Sequence, residues 1–351
     1  MSPTAANKAG VLFRSLKSGV DAIGPKTRTA LSYAVAGAIL WFVAQGINPA
    51  RIALSLRRAD AGLFLSVCAV SFAVWFLGET LLFSRLFSYF HRRTTFYEML
   101  VPNAAQYFLQ VVNVAVGSGA LLFFLNRRKG VPWLAGGATL LLQALVDLQI
   151  LALMALAGLT VSGHVRFPGA LYYLVGMLAA MWLIMWFWLR GRPRWRIARM
   201  IYDRRVFRSF REARLSHYLR LIALRAPIFI FQSFVFYGEM RAFAIHAPIA
   251  TVMADTPLIL LATSLPLTPV GIGSEQLMMV WCFRAYASVA DLLAVSLAIS
   301  ATGVLFRCAL GIGSVRSFIH QMLAQDLSGE QVSAPASVAP KRTGALAPDA
   351  P

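Results

Sequence analysis

Long apolar segments alternate with short basic segments along most of the chain. Six apolar segments run without interruption, at residues 29–46, 61–83, 133–159, 168–189, 219–237 and 292–312. A helix needs about 20 mainly apolar residues to cross a bilayer, and these segments have close to that length. The pattern therefore predicts an all-α integral membrane protein with about six transmembrane helices.

Two further apolar stretches, at residues 100–125 and 248–283, are interrupted by glycine and proline. The motifs Val-Gly-Ser-Gly at 116–119 and Val-Gly-Ile-Gly at 270–273 occupy matching places, each after one span and before another. Broken helices are tolerated at membrane depth only where protein or a water-filled cavity surrounds them. We therefore expect two re-entrant hairpins, with helix breaks at Gly117, Gly119, Pro266, Pro269, Gly271 and Gly273.

The distribution of basic residues predicts the topology. The segment 190–214 contains ten arginines, and such loops stay in the cytoplasm. Counting spans from it also places the basic segments 85–93 and 127–129 and both chain termini inside, whereas Arg51, Arg57 and Arg58 fall outside. The two broken stretches then enter from opposite faces, which predicts an inverted repeat of residues 29–159 and 168–315, an arrangement typical of secondary transporters.

Three parts of the chain differ in composition. Residues 1–28 are polar and basic, and we expect them to be cytoplasmic. Residues 29–325 would form the transmembrane domain, within which 190–214 is either an amphipathic helix on the inner leaflet or a solvated connector. Residues 326–351 are rich in Ser, Ala, Pro and Gly, which predicts a disordered cytoplasmic tail.

The overall composition supports a membrane protein and argues against several other classes. The chain is 58% hydrophobic and 13% charged, with a net charge of +19. The basic residues lie between apolar segments and match no nucleic-acid-binding motif, so we expect no nucleic-acid partner. Cys68, Cys282 and Cys308 lie inside apolar segments without metal-ligand spacing, and we interpret them as buried hydrophobic residues. We expect no metal, no cofactor and no catalytic residues.

The second broken stretch carries a resemblance to a known family. Its sequence Leu-Pro-Leu-Thr-Pro-Val-Gly-Ile-Gly-Ser-Glu, at residues 265–275, opens an apolar helix, and Arg307 lies in the last span. Together these features resemble the flippase-like transmembrane region of the lysylphosphatidylglycerol synthase family, over about residues 25–325. The first repeat differs, since residues 116–120 contain neither an acid nor a base. The resemblance implies a stand-alone flippase-like protein without the aminoacyl-transferring domain, linked to lipids such as hopanoids or glycolipids.

Charged side chains at membrane depth are costly when unpaired, so they are candidates for function. Glu275 begins a half-helix and would either cap it or hold a proton or a cationic headgroup. Asp147 lies one turn from Gln143 and would either form a structural hydrogen bond there or line the lipid path. Asp255 would cap a helix start or contact substrate. Arg307 lacks a nearby acid in sequence and would pair with Glu275 or with a lipid phosphate.

A polar stripe lies within the first broken stretch. Asn103, Gln106, Gln110 and Asn113 recur every three or four residues, which places them on one helix face. Such a stripe either holds helices together or lines a path for headgroups.

We interpret the chain as a flippase of the bacterial inner membrane that moves an anionic or headgroup-modified lipid between leaflets, with membrane lipids as its partners. Two alternatives stay open. The chain could instead scaffold lipid-biosynthesis enzymes through residues 190–214, or it could be a membrane-embedded transferase acting on lipid-linked substrates.

Overall fold

The computed structural model describes residues 49–111, 113–162, 173, 175–183, 210, 212–264 and 273–333. Several predictions lie outside these ranges. They are the first span at 29–46, much of the fourth span at 168–189, most of the basic loop at 190–214, and the helix-break residues Pro266, Pro269 and Gly271.

The described residues are helical and contain no strand. The helices are α1 (Pro49–Arg58), α2 (Ala61–Phe90), α3 (Phe96–Gln110), α4 (Val114–Lys129), α5 (Trp133–Ser162), α6 (Leu215–Ala242), α7 (Ile249–Ser264), α8 (Ser274–Phe283) and α9 (Val289–Ser333). Residues 175–183 are helical as well.

Four of these helices are long and apolar enough to cross a membrane. Their spanning parts are Ala61–Phe90, Trp133–Gly158, Leu215–Ala242 and Val289–Gly311. Each contains, or nearly contains, one of the spans predicted at 61–83, 133–159, 219–237 and 292–312. The chain is therefore a multi-pass all-α membrane protein.

The first broken stretch folds into two short helices, α3 and α4, that pack against each other. The prediction placed the break at Gly117 and Gly119, and this was wrong: both lie inside α4. The break lies between the end of α3 at Gln110 and the start of α4 at Val114. The side chain of Asn113 caps α4 by accepting a hydrogen bond from Ala115 N at 2.8 Å. Gly117 instead permits close packing of the two arms, since a Cβ atom there would lie 2.6 Å from the carbonyl oxygen of Gln106.

The two ends of this first hairpin lie together. Lys129 Nζ at the end of α4 forms a salt bridge of 2.8 Å with Glu98 Oε1 in the first turn of α3. The same ammonium donates a hydrogen bond of 3.2 Å to the carbonyl oxygen of Arg93, which precedes α3. The chain therefore enters and leaves the first hairpin at the same end of the molecule.

The second broken stretch forms a comparable pair, α7 and α8, which also pack against each other. Thr251 Oγ1 in the first turn of α7 lies 3.3 Å from the hydroxyl of Tyr286, which follows α8. Gly273, immediately before α8, has a φ of +98°, a conformation that side chains other than glycine rarely adopt. The predicted helix break is therefore present on the α8 side, and residues 265–272 lie outside the described residues.

The two hairpins begin at opposite ends of the helix pair α2 and α6. These helices are antiparallel, because Asp60 N before α2 donates to Ala242 O at the end of α6, at 2.8 Å. At the other end, the rings of Tyr89 and His217 stack at 5.3 Å. We call these the Ala242 end and the His217 end. The first hairpin starts next to Arg93 at the His217 end, and the second starts just beyond Ala242 at the Ala242 end.

Two apolar clusters hold the helices together. One, near the His217 end, includes Phe83, Phe87 and Phe124; the other, near the Ala242 end, includes Met240 and Phe283. In lipid the hydrophobic effect does not drive helices together, so close packing and small residues at helix contacts supply much of the stability.

Gly158 is the clearest such small residue. A Cβ atom there would lie 2.5 Å from the carbonyl oxygen of Ala254 on α7, and backbone atoms cannot move aside easily. We expect Gly158→Ala to lower the free energy of unfolding by about 1–3 kcal/mol. Gly137→Ala on the same helix is the matched control: its Cβ would meet nothing within 4 Å, so we expect no loss. Equal effects of the two variants on reversible unfolding in detergent would contradict this packing.

The last helix is longer than the sequence indicated. We predicted a disordered tail from residue 326, but α9 continues to Ser333. The residues after Asp326 include Leu, Glu and Gln, which are good helix formers and allow the last span to extend. Residues 334–351 lie outside the described part of the chain.

Candidate functional site

A cavity of about 230 Å³ lies where the tips of the two hairpins meet the long helices. Tyr107 on α3 comes from the tip of the first hairpin, and Thr263 and Glu275 come from the tip of the second. The remaining walls belong to α2, α6 and α9. The cavity thus lies among the helices at the place where both broken elements stop, and its lining reaches Glu239, about one turn from the Ala242 end.

Polar and aromatic side chains share the lining of this cavity. The charged or hydrogen-bonding ones are Cys68, Ser71, Tyr107, Gln232, Glu239, Thr263, Glu275, Thr302 and Arg307, and the other aromatic ones are Phe72, Trp75, Phe236 and Phe306. Such a mixture suits a ligand that has a polar headgroup and an apolar body.

Arg307 is the positive charge of this cavity. Its guanidinium lies 5.7 Å from the centre of the Tyr107 ring, in cation–π geometry. Its charge also acts on Glu79, next to the same tyrosine. We predicted a pairing with Glu275 or with a lipid phosphate. Both Arg307 and Glu275 line the cavity, but among the residues that the structure describes Arg307 forms no salt bridge.

Glu275 lies in the first turn of α8, as the sequence indicated, but it does not cap the helix. The N–H of Gly273 donates to the side chain of Gln276, which takes the capping role. The side-chain amide nitrogen of Gln276 in turn donates a hydrogen bond of 3.1 Å to Ser300 Oγ. One oxygen of Glu275 accepts a hydrogen bond of 3.2 Å from Ser300, and the other has no partner. Glu275 therefore has one carboxylate oxygen available to bind a proton or a ligand in the cavity.

Glu239 lies beyond the span predicted at 219–237 and was not among the predicted site residues. The helix α6 extends to Ala242, so Glu239 is helical and only 2% exposed. Cys68 Sγ donates a hydrogen bond of 3.5 Å to Glu239 Oε1, and Glu239 Oε2 has no partner. Cys68 is buried, as expected, and this hydrogen bond gives it a polar contact as well. The spacing of Arg225, Gln232 and Glu239, seven residues apart, places all three on one face of α6 and could have revealed this acid.

A buried ion pair lies beside the cavity. Arg225 donates to both oxygens of Asp147, at 2.9 and 3.1 Å, and its guanidinium stacks on Trp75 at 4.8 Å. The predicted hydrogen bond between Gln143 and Asp147 is present at 3.4 Å. Asp147 does not line the cavity. Arg225 was overlooked, although an arginine deep within an apolar span is itself a signal.

The polar stripe of the first hairpin holds helices together instead of lining the cavity. Asn103 donates to Thr80 Oγ1 on α2 at 2.9 Å, and Asn113 is the cap of α4. Gln106 is buried, and Gln110 packs where Gly117 approaches. None of these four side chains contributes to the cavity wall.

Asp255 has neither of its predicted positions. It lies within α7, six residues after the helix begins at Ile249, so it does not cap a helix start. It is also absent from the cavity wall.

The chain was compared with known proteins. No curated protein and no solved structure matches it. The family model described as the lysylphosphatidylglycerol synthase TM region matches residues 29–311, which is most of the chain and includes every residue that lines the cavity. The chain therefore belongs to the lysylphosphatidylglycerol synthase TM region family.

Proposed function

We propose that this protein moves an anionic or headgroup-modified lipid, such as a phospholipid, hopanoid or glycolipid, between the leaflets of the bacterial inner membrane. The observation that carries the proposal is Arg307. It lies inside the bundle in a cavity, and no described acid forms a salt bridge with it. A partly buried arginine in this state can donate its hydrogen bonds to a phosphate or other anion.

The arrangement of the hairpins supports transport. They start at opposite ends of α2 and α6, and their tips share one cavity. We propose that they belong to two inverted repeats, residues 29–159 and 168–315. In such transporters one unit moves against the other, and the shared site opens to each side of the membrane in turn.

The distribution of charge supports an orientation with the His217 end in the cytoplasm. Arg92, Arg93 and the basic end of α4 lie there, and the arginine-rich residues 190–214 lead into α6 at that end. Cytoplasmic segments carry such an excess of basic residues. The basic residues at the Ala242 end are the exception. Arg51, Arg57 and Arg58 lie on the short amphipathic helix α1, Arg241 lies in the last turn of α6, and Arg284 follows α8. Since α9 runs away from the Ala242 end, the C-terminus would be cytoplasmic, and the predicted span at 29–46 would place the N-terminus on the same side.

In the proposed mechanism, the headgroup enters the cavity while the acyl chains stay in the bilayer. Arg307 pairs with the phosphate, and Tyr107 holds the guanidinium by its ring face. The aromatic residues Phe72, Trp75 and Phe306 shield the less polar part of the lipid. Each polar group that the headgroup meets lowers the barrier that the hydrocarbon core sets against its passage.

The test is translocation of a fluorescent anionic phospholipid in proteoliposomes, followed by the fraction that a membrane-impermeant reductant bleaches. We expect Arg307→Ala to slow translocation by roughly tenfold or more, since losing about 1.4 kcal/mol of stabilisation is enough for that factor. Arg284→Ala is the matched control, because Arg284 is exposed and lies outside the cavity. Equal rates for both variants and the wild-type protein would refute the role of Arg307.

The same assay separates transport from the two alternatives. A protein that only scaffolds biosynthetic enzymes would not translocate lipid by itself, whereas a transporter would do so in vesicles that contain no other protein. A transferase would change the lipid chemically, which mass spectrometry of the recovered lipids would detect. We propose that the protein is not an enzyme and expect the lipids to be recovered unchanged.

A further inference from the structure

Two carboxylates face the cavity, and each has one oxygen without a hydrogen-bond partner. They are Glu239 on α6 and Glu275 on α8, and the oxygens concerned are Glu239 Oε2 and Glu275 Oε1. The charge of Glu275 acts on Glu239 across this space. Burying a carboxylate as an anion without full hydrogen bonding is costly, and a buried acid commonly takes up a proton instead.

The other groups around the two acids do not balance both charges. Cys68 on α2 donates to Glu239, and Ser300 on α9 donates to Glu275. Arg307 on α9 is the cation of the cavity wall, next to Tyr107 on α3, and its charge also acts on Glu79. The hairpin helix α7 contributes the neutral Thr263. Among the described residues that line the cavity, two acids thus face one arginine, and this arginine also lies near a third acid, Glu79.

We propose, resting on the function proposed above, that Glu239 and Glu275 form a proton-binding site and that a proton enters the cavity together with an anionic headgroup. A metal ion fits the site less well. Hard cations such as Mg²⁺ and Ca²⁺ take about six or more oxygen ligands, and no group of three or more metal-binding side chains occurs in the described part of the chain.

The coupling follows from electrostatics. An anionic phosphate bound to Arg307 neutralises the positive charge that otherwise stabilises the two carboxylates. The ionised forms of Glu239 and Glu275 then become less favourable. Protonation of one acid removes that repulsion. Because linkage is reciprocal, the lipid promotes proton binding by the same factor by which the proton promotes lipid binding. The proton would therefore act as the coupling ion of transport.

The first test uses the full-length wild-type protein in detergent and a short-chain phosphatidylglycerol. Adding this lipid to protein in weakly buffered solution should remove protons from the solvent, and the pH should rise. The zwitterionic short-chain phosphatidylcholine should not cause this uptake. In addition, phosphatidylglycerol should bind more tightly as the pH falls, by up to about tenfold per pH unit where one proton is taken up.

Variants assign the proton to the two acids. Glu239→Gln and Glu275→Gln imitate the protonated side chains, so the double variant should bind phosphatidylglycerol tightly with little dependence on pH and without proton uptake. Asp291→Asn is the matched control: it removes a carboxylate at the start of α9, where Asp291 pairs with Ser288 outside the cavity. It should behave like the wild-type protein.

The outcomes separate this inference from the proposed function. If wild-type protein binds phosphatidylglycerol without proton uptake and with the same affinity at all pH values, proton binding is refuted while the lipid site stands. If it binds no anionic lipid at any pH, the proposed function fails as well. Proton uptake that persists in the double variant would assign the proton to other groups and refute the role of these acids.

Discussion

Replacing Gly303 by tryptophan should block lipid translocation while the protein stays folded. Gly303 lies on α9 in the cavity wall, and a Cβ atom there would meet nothing within 4 Å. The largest side chain can therefore extend into the cavity of about 230 Å³ without displacing the backbone. We expect the translocation rate to fall by at least roughly tenfold, the factor that corresponds to a barrier increase of about 1.4 kcal/mol.

Two controls isolate the effect of filling the cavity. Gly303→Ala adds a methyl group to open space and should translocate at the wild-type rate. Gly313→Trp adds the same indole to an exposed position further along α9, where a Cβ also meets nothing within 4 Å. If Gly303→Trp is folded and transports as fast as Gly313→Trp, the lipid does not pass through this cavity.

Replacing Arg225 by alanine should have the largest effect on stability. Arg225 is 4% exposed and forms two hydrogen bonds with Asp147. Its removal leaves a buried carboxylate without its cation, which costs about 3–5 kcal/mol. It also removes the stacking on Trp75, which holds α2 against α6. Unfolding by titration with a denaturing detergent would measure the loss, with the exposed Arg220→Ala on the same helix as control.

A double variant distinguishes loss of charge balance from loss of packing. Replacing Asp147 by leucine together with Arg225 by methionine removes both charges and keeps the volume similar. We expect this protein to be considerably more stable than Arg225→Ala, since well-packed apolar residues often replace a buried ion pair with little loss. If the double variant were as unstable as the single one, the ion pair would not account for the effect.

Much of the architecture was predictable from local sequence. The four long helices follow directly from apolar segments of membrane length, and the two hairpins follow from broken segments together with the placement of basic residues. The position of the first break was not predictable from glycine content. Gly117 favours a break in isolation, but in the folded chain it is where α3 and α4 approach each other, and Asn113 ends the turn instead.

The candidate site was only partly predictable. Arg307 and Glu275 stood out because charges are rare within spans. Glu239 was hidden because it lies near two other polar residues, Arg241 and His246, so that its segment resembled a loop. Conversely, Asn103 and Asp147 resembled lining residues in sequence but have partners on neighbouring helices. Partners on distant segments depend on the packing of the whole chain, which local patterns do not specify.

The most direct test of the account is the translocation rate of a fluorescent anionic lipid in vesicles that contain only the purified wild-type protein. We expect the inner-leaflet lipid to become accessible to the reductant much faster than in protein-free vesicles. The accelerated fraction should rise with the share of vesicles that contain protein. A rate equal to that of protein-free vesicles, with protein shown to be folded and inserted, would contradict lipid transport by this chain.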